Sequence, residues 1–309
     1  MKFLTKNIQQ NVLLYILLFV VFNCGKTEVK DEILKTEVVK DSTKYVIVSH
    51  DIQIKNYFQF IDSIVENSNN LENLNLTEHL LIRSNPWIID SLVNTDYYIM
   101  KEKDSFIYNQ KEMIVLKKGS KIKIPDSLAI DSLLQSFNST KIEVNIPEFK
   151  LRIFEDSICL YEFSVRVGRN ERKYLKMGNR ITDLRTIKGN GTIVSHVRNP
   201  DYYNPATGRK YYATVRDDFK TTKLPQIPYI ETEINGVRNG QMIHPTTNPI
   251  TLGKAYSNGC IGVSEGDTWI IYYYAEIGTR ININYDLNIT NNDGEPIICN
   301  NIYNYKLNE

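Results

Sequence analysis

Cysteine is scarce in this chain of 309 residues, and the four present, Cys24, Cys159, Cys260 and Cys299, lie far apart. That excludes a disulfide framework, and the lack of any C-x-x-C pair removes the usual cysteine zinc site. Histidine is as scarce. Of the four, His50, His79 and His196 show no metal-ligand spacing, so neither a metal nor a cofactor is expected. An excess of charge of one sign is also missing. With a formal net charge of +1 and no long basic run interleaved with aromatics, nucleic acid is excluded as a partner. No apolar run reaches the roughly 20 residues that a membrane-spanning helix needs.

A shorter apolar run is present at the start. Lys2 and Lys6 precede an uninterrupted stretch from Val12 to Phe22, the length of a signal-peptide core. It stops at Phe22-Asn23-Cys24-Gly25, which resembles a bacterial lipoprotein cleavage box, with Asn23 where a small residue is usual. Residues 1–24 are therefore expected to be a lipoprotein-type signal, with Cys24 the lipidated first residue of the mature chain. A plain secretory signal cut nearby is the alternative. Either places the mature protein outside the cytoplasm, in the periplasm, and lipidation would add a membrane anchor at Cys24. Residues 25–45 mix Lys, Glu, Asp and Thr without aromatics until Tyr45, the composition of a solvated tether.

The remaining chain is 42% hydrophobic overall and long enough for a sizeable core. Ile54, Phe58, Ile61 and Val65 recur at helical spacing and predict an amphipathic helix ending in Asn67 to Asn70. Asn85 before Pro86 predicts a second helix start, with Trp87 in the core. Short β-rich pieces follow up to Pro125, so residues 46–138 are expected to form a small α+β domain. After about Thr140 the spacing changes to alternation. Ile142, Val144 and Ile146, then Leu151 and Ile153, then Tyr161, Phe163, Val165 and Val167 mark half-buried antiparallel strands. A helix from Asp267, with Ile270, Tyr273, Tyr274 and Ile277 on its apolar side, and a strand through Ile281, Ile283 and Tyr285 complete a mainly β domain over 139–286. Residues 287–309 form an extension with a turn at Asn292-Asp293-Gly294 that suits a hairpin.

Within the β domain lie Met242-Ile243-His244-Pro245 and, after a loop rich in Gly, Pro, Asn and Ser, Ser257-Asn258-Gly259-Cys260-Ile261-Gly262-Val263. A thiol of pKa ~8.5 is only a few per cent thiolate near neutrality and needs a neighbouring base to act as a nucleophile. His244 is that candidate. Gly259 lets the backbone turn sharply, so that amide N–H groups from Asn258 to Cys260 can face a developing oxyanion. Cys159 and Cys299 are expected to be inert, or to pair in an oxidising compartment.

This stretch closely resembles the signature of the L,D-transpeptidase catalytic domains: a histidine, a loop with N-P and L-G-K-A, then S-x-G-C and an apolar residue. Val167-Gly168-Arg169, Thr186-Ile187-Lys188-Gly189 and Gly278-Thr279-Arg280 are similar to the family's V-G-R, T-P-x-G and G-T-x-V. The resemblance implies an L,D-transpeptidase-type β-sandwich with one or two short helices. It also implies a peptidoglycan stem peptide as partner: Cys260 attacks the carbonyl before D-alanine of a tetrapeptide stem, and His244 moves the proton. An amine acceptor gives a 3-3 crosslink; water makes the protein a carboxypeptidase or endopeptidase. Ser257 matches the family's hydroxyl position and is expected to orient the loop. Two positions depart from the pattern. Pro245 stands where glycine is common, but keeps a carbonyl able to fix the imidazole tautomer. Gly262 stands where arginine is usual, leaving Arg238, Arg280 or Lys254 as replacements. That departure also motivates a third reading, an inactive peptidoglycan-binding lipoprotein.

Overall fold

The computed structural model describes residues 44–72, 74–105, 109–175, 179–203, 207–216, 219–290 and 293–306. The signal segment, Cys24 and the expected tether up to residue 43 lie outside the described residues. Lys44 and Tyr45, read as the end of that tether, instead open a strand.

The first half of the described chain is mostly helical. Strands β1 (Lys44–Ile47) and β2 (Ile52–Gln53) precede helices α1 (Ile54–Glu72), α2 (Glu78–Arg83), α3 (Pro86–Val93) and α4 (Tyr97–Glu102). Strands β3 (Ile114–Leu116) and β4 (Lys121–Ile124), then helix α5 (Ser127–Ser139), follow. β1 pairs with β4, and β2 with β3, both antiparallel. α1 runs past the asparagines expected to end it, because Asn69 turns its amide onto the main chain of Leu76 in both directions, at 2.8 and 2.9 Å. Asn85 does not cap α3 with its side chain. It bonds instead to the main chain of Lys123 in β4 and to Leu81 O. Trp87 is 37% exposed; the core tryptophan is Trp269, at 1%.

Ten strands bring the chain to the second half of the motif. They are β5 (Thr140–Asn145), β6 (Lys150–Glu155), β7 (Ile158–Ser164), β8 (Val167–Gly168), β9 (Arg172–Leu175), β10 (Arg180–Asp183), β11 (Gly189–Val197), and, in an excursion, β12 (Tyr202–Tyr203), β13 (Lys210–Tyr211) and β14 (Ala213–Val215). β15 (Thr221–Lys223) closes that excursion, and β16 (Tyr229–Ile234), β17 (Met242–Pro245), β18 (Ala255–Ser257), β19 (Ile261–Val263), helix α6 (Glu265–Tyr274) and β20 (Arg280–Asn284) follow. Strands β21 (Asn288–Thr290) and β22 (Pro296–Ile298) form an antiparallel pair near the C-terminal end.

Eight of these strands make one sheet in the order β19-β17-β16-β11-β20-β5-β6-β7. Alternation sets β5, β6 and β7 antiparallel, with Ile142, Val144, Leu151 and Ile153 fully buried. The expected all-antiparallel pairing fails at two places: β20 lies parallel to β5, and β19 parallel to β17. α6 begins at Glu265, two residues before the expected Asp267, because Ser264 Oγ caps it by accepting from Asp267 N at 3.0 Å. It buries Trp269, Ile271, Tyr272 and Tyr273, while Ile277 is exposed. The expected one-sided face fails because α6 packs on α2 and α3 as well as on β16 and β17. Residues 42–309 thus form one unit, and the packing runs across the change of pattern at residue 139.

A buried polar cluster joins the helices to α6. Glu78 accepts from Tyr273 Oη at 2.8 Å and from Tyr272 Oη, and pairs with Arg198, which also reaches Asp62. Tyr57 and Tyr273 hydroxyls lie 2.7 Å apart. His79 and His196 stack, and donate from Nε2 to the carbonyls of Tyr272 and Ala275. Burial, Arg198 and, for His79, the neighbouring ring hold His79 near pKa 3 and His196 near 4. Among the described residues no helix is long and apolar enough to cross a membrane.

Both histidines are expected to make the protein acid-labile. Their folded pKa values lie below the unfolded value of about 6.5, so the unfolded state binds more protons between about pH 6.5 and 4 and stability falls as pH falls. Burial raises the pKa of Glu78 and acts in the opposite sense. Urea midpoints at pH 7 and 5 should therefore differ less in His79→Gln, whose amide keeps the bond to Tyr272, than in the wild type. An equal pH slope in the two proteins would show that His79 is not held neutral.

Candidate active site

The register of β17 and β19 decides where His244 and Cys260 stand. Ile243 pairs with Ile261, His244 with Gly262 and Pro245 with Val263, all parallel. Extending that register by one residue sets Cys260 beside Met242. Side chains alternate with period two, so Met242, His244, Cys260 and Gly262 share one face and the histidine and cysteine are diagonal neighbours. A parallel pair needs a crossover of a dozen or more residues. The 16 positions between His244 and Cys260 supply it.

His244 Nδ1 lies 3.0 Å from the carbonyl oxygen of Pro245. A carbonyl can only accept, so the proton sits on Nδ1 and Nε2 keeps its lone pair. Burial and the charge of Arg166 hold the imidazole near pKa 4, against the pull of the Pro245 hydrogen bond. Cys260 is half-buried, with Sγ 3.8 Å from Gly240 O. Burial raises its pKa, opposed by a main-chain hydrogen bond from Met242 and by Arg166. The resting pair is therefore thiol and neutral imidazole.

Hydrogen bonds shape the cysteine loop. Ser257, 3% exposed, donates to Cys260 O at 2.6 Å and accepts from Gly259 N at 3.2 Å. That bond uses the Gly259 N–H, which the sequence reading had offered to an oxyanion. Gly259 has φ +113°, a left-handed conformation that a β-carbon would strain. Asn258 is exposed beside it. Arg169 holds the other side of the loop, from its N and Nε to Ser257 O and from Nη2 to Tyr256 O.

Thr186, which the sequence showed only as part of a weak match, links the loop to the sheet: its hydroxyl donates to Gly259 O at 2.9 Å and accepts from Gly168 N at 2.8 Å. Tyr303, from the C-terminal extension, is 3% exposed, donates to Gly168 O and accepts from Thr186 N. Nothing in the local sequence marks Tyr303, since its partners are 117 and 135 residues away.

The guanidinium beside the pair comes from Arg166. Its main chain bridges Gly262 through two hydrogen bonds of 2.8 and 2.9 Å. A β-carbon on Gly262 would stand 2.7 Å from Arg166 Cγ and 2.9 Å from its Nε. The arginine side chain thus fills the space that a side chain at 262 would take, and Nη1 reaches Thr251 Oγ1 at 3.3 Å. The expected replacements are elsewhere. Arg280 is on β20, three strands beyond β17; Arg238 lies on the exposed turn after β16; Lys254 is exposed before β18. Cys159 and Cys299 are free thiols, so the conceivable disulfide is not formed.

No curated protein matches the chain. Residues 139–283 match the family model YkuD, described as the L,D-transpeptidase catalytic domain. Among solved structures the chain is similar to L,D-transpeptidase 3 from Mycobacterium tuberculosis in complex with a faropenem-derived adduct, at 17% identity over 47% of this chain and 60% of that one, TM-score 0.33. It is also similar to an L,D-transpeptidase from Mycobacterium smegmatis, at 15% identity over 47% and 58%, TM-score 0.32. An L,D-transpeptidase from Xylanimonas cellulosilytica matches at 14% identity over 65% and 94%, TM-score 0.35. The chain thus spans about 60% of the length of the first of these relatives. By its match over residues 139–283, the region that carries His244 and Cys260 belongs to the YkuD family of L,D-transpeptidase catalytic domains.

Proposed function

We propose that the protein is a peptidoglycan L,D-transpeptidase with Cys260 as nucleophile and His244 as proton carrier. The observation that carries this reading is the diagonal placement of the two on parallel strands, with His244 Nδ1 fixed on Pro245 O and Nε2 left as a base. The thiol gives its proton to Nε2 as Sγ attacks the carbonyl before D-alanine in a tetrapeptide stem. With the Gly259 N–H bonded to Ser257, the Cys260 N–H is the remaining candidate donor to the oxyanion. Collapse breaks the peptide bond, the D-alanine amine takes the proton from His244, and a thioester remains. An acceptor amine then attacks the thioester, its proton passes through His244 to the departing sulfur, and the new amide is a 3-3 crosslink. Arg166 favours the thiolate and opposes the imidazolium, so its charge supports sulfur at the moment of attack. With that guanidinium beside the pair, Gly262 no longer argues for an inactive binding protein. Ser257 and Asn258, with Gly259 between them, form the loop that presents the thiol, and the export segment ending at Cys24 supports a periplasmic, lipid-anchored protein.

Three outcomes test this reading. Incubation with a tetrapeptide muropeptide should give acyl-enzyme, tripeptide and dimer by mass spectrometry, and Cys260→Ala should abolish all three. Survival of more than a tenth of the rate would remove Cys260 from the mechanism, while tripeptide without dimer would make water the acceptor. The acid limb of the acylation rate should fall near pH 4, because His244 stays an unprotonated base above that value; a limb at about 6.5 would mean an ordinary, solvated histidine. Arg166→Ala should slow acylation on the order of 10–100-fold, by loss of a preorganised charge. Adding Gly262→Arg to that variant should restore part of the rate, because the space above Gly262 is then open. No loss in Arg166→Ala would leave the arginine a packing residue only.

A further inference from the structure

A cavity of about 590 Å³ opens off the ends of β17 and β19, apart from the catalytic pair. Tyr98 of α4, Lys111, Tyr212 and Leu224 of the excursion, and Thr247 line it, with Glu265 at the start of α6. Its size suits a ligand of a few tens of atoms. Tyr98 Oη donates to Thr247 O at 2.6 Å, which ties this wall to the loop that leaves His244.

Glu265 is the unusual member. It is only 6% exposed, yet it lines the cavity, and among the described residues its carboxylate has no ion-pair partner. The hydrogen bonds it accepts, from Tyr97 N at 3.0 Å and Gln110 Nε2 at 2.8 Å, both fall on Oε2. Oε1 is the oxygen left for a ligand. The nearby Asp96 carboxylate is spent on the main-chain N–H groups of Tyr98, Ile99 and Gly266. Burial and then Asp96 push Glu265 up to about 7, against the two hydrogen bonds. A buried carboxylate without a counter-charge is costly, and an ammonium group offsets that cost more fully than a hydroxyl does.

We propose that this cavity is a binding subsite for a ligand bearing an aliphatic primary ammonium group, seated on Glu265 Oε1. Lys111 and Lys223 also line the cavity and suit a carboxylate elsewhere on the same ligand. Glu265 is three residues beyond Gly262, the register partner of His244, about 10 Å at ~3.3 Å per extended residue. An ammonium held there is protonated and too far away to attack the thioester, so the subsite grips a second group of the ligand. A diamino acid side chain in a stem peptide has that chemistry, a link that rests on the transpeptidase reading. The subsite itself does not.

The test is direct binding to the full-length protein, by ligand-observed NMR and calorimetry. The probes are Nα-acetyl-lysine and Nα-acetyl-norleucine, which share a carboxylate and an apolar chain and differ in the ammonium. At pH 8 the lysine derivative should bind at least tenfold more tightly. That preference should shrink several-fold at pH 6, as the carboxyl takes up a proton. Glu265→Gln should erase the preference, and Ala213→Trp, an exposed change on the cavity lining, should weaken both probes. Cys260→Ala should bind like the wild type, which keeps failure of the catalytic reading separate from failure of the subsite. Equal binding of the probes, a preference that survives Glu265→Gln, or no binding at ~10 mM would each overturn the proposal.

Discussion

Parallel pairing of β17 with β19 is the constraint on which the site depends. In an antiparallel hairpin the same residues would meet through a short turn, and a histidine and cysteine 16 positions apart would lie far along the strands from one another. Parallel pairing instead sends the chain out through Thr246 to Ser257 and back in the same direction, so that His244 and Cys260 emerge on one face. The excursion is held where it returns. Val167 and Gly168 pair with Ala255 and Ser257, and Arg169 accompanies them onto the main chain of Tyr256 and Ser257. Gly168 has to be glycine for this: a β-carbon there would stand 2.0 Å from Leu184 O.

The exchange between residues 262 and 166 shows how a local departure from a pattern can be absorbed by a neighbour. Two main-chain hydrogen bonds fix Arg166 opposite Gly262, and the absent side chain of one makes room for the long side chain of the other. The positive charge therefore enters from the adjacent strand. Its effect on the pair follows from Coulomb's law alone: a cation favours thiolate over thiol and neutral imidazole over imidazolium. Both partners stay uncharged at rest because burial opposes either ion, and the ion pair forms only as the substrate is attacked.

Elements outside the β domain complete the structure from both ends of the chain. Tyr303 fixes Thr186 and Gly168 beneath the cysteine loop, and Glu78, Arg198 and the stacked histidines lock the helices against α6. Buried ion pairs of this kind add little net stability but penalise alternative arrangements. The position of Glu265 depends on that lock, since Tyr97 and Gln110, which bind its carboxylate, belong to the first half of the chain.

The strands of the β domain were legible in the sequence because alternation reports which side of a strand is buried, as Ile142, Val144, Leu151 and Ile153 show. The candidate pair was legible because a base and a thiol flanking a Gly- and Ser-rich loop carry their chemistry in residue type. The Pro245 carbonyl was predictable as a tautomer-setting acceptor for the same local reason, adjacency along the chain. What the sequence could not carry was anything set by contact between distant segments. Trp87 and Trp269 are equally apolar, and only packing decided that Trp269 is the buried one. α6 shows no one-sided pattern because it is covered on several sides. Parallel or antiparallel pairing, the arginine that faces Gly262, the tyrosine beneath Thr186 and the buried carboxylate of Glu265 each depend on tertiary register, which local periodicity does not encode.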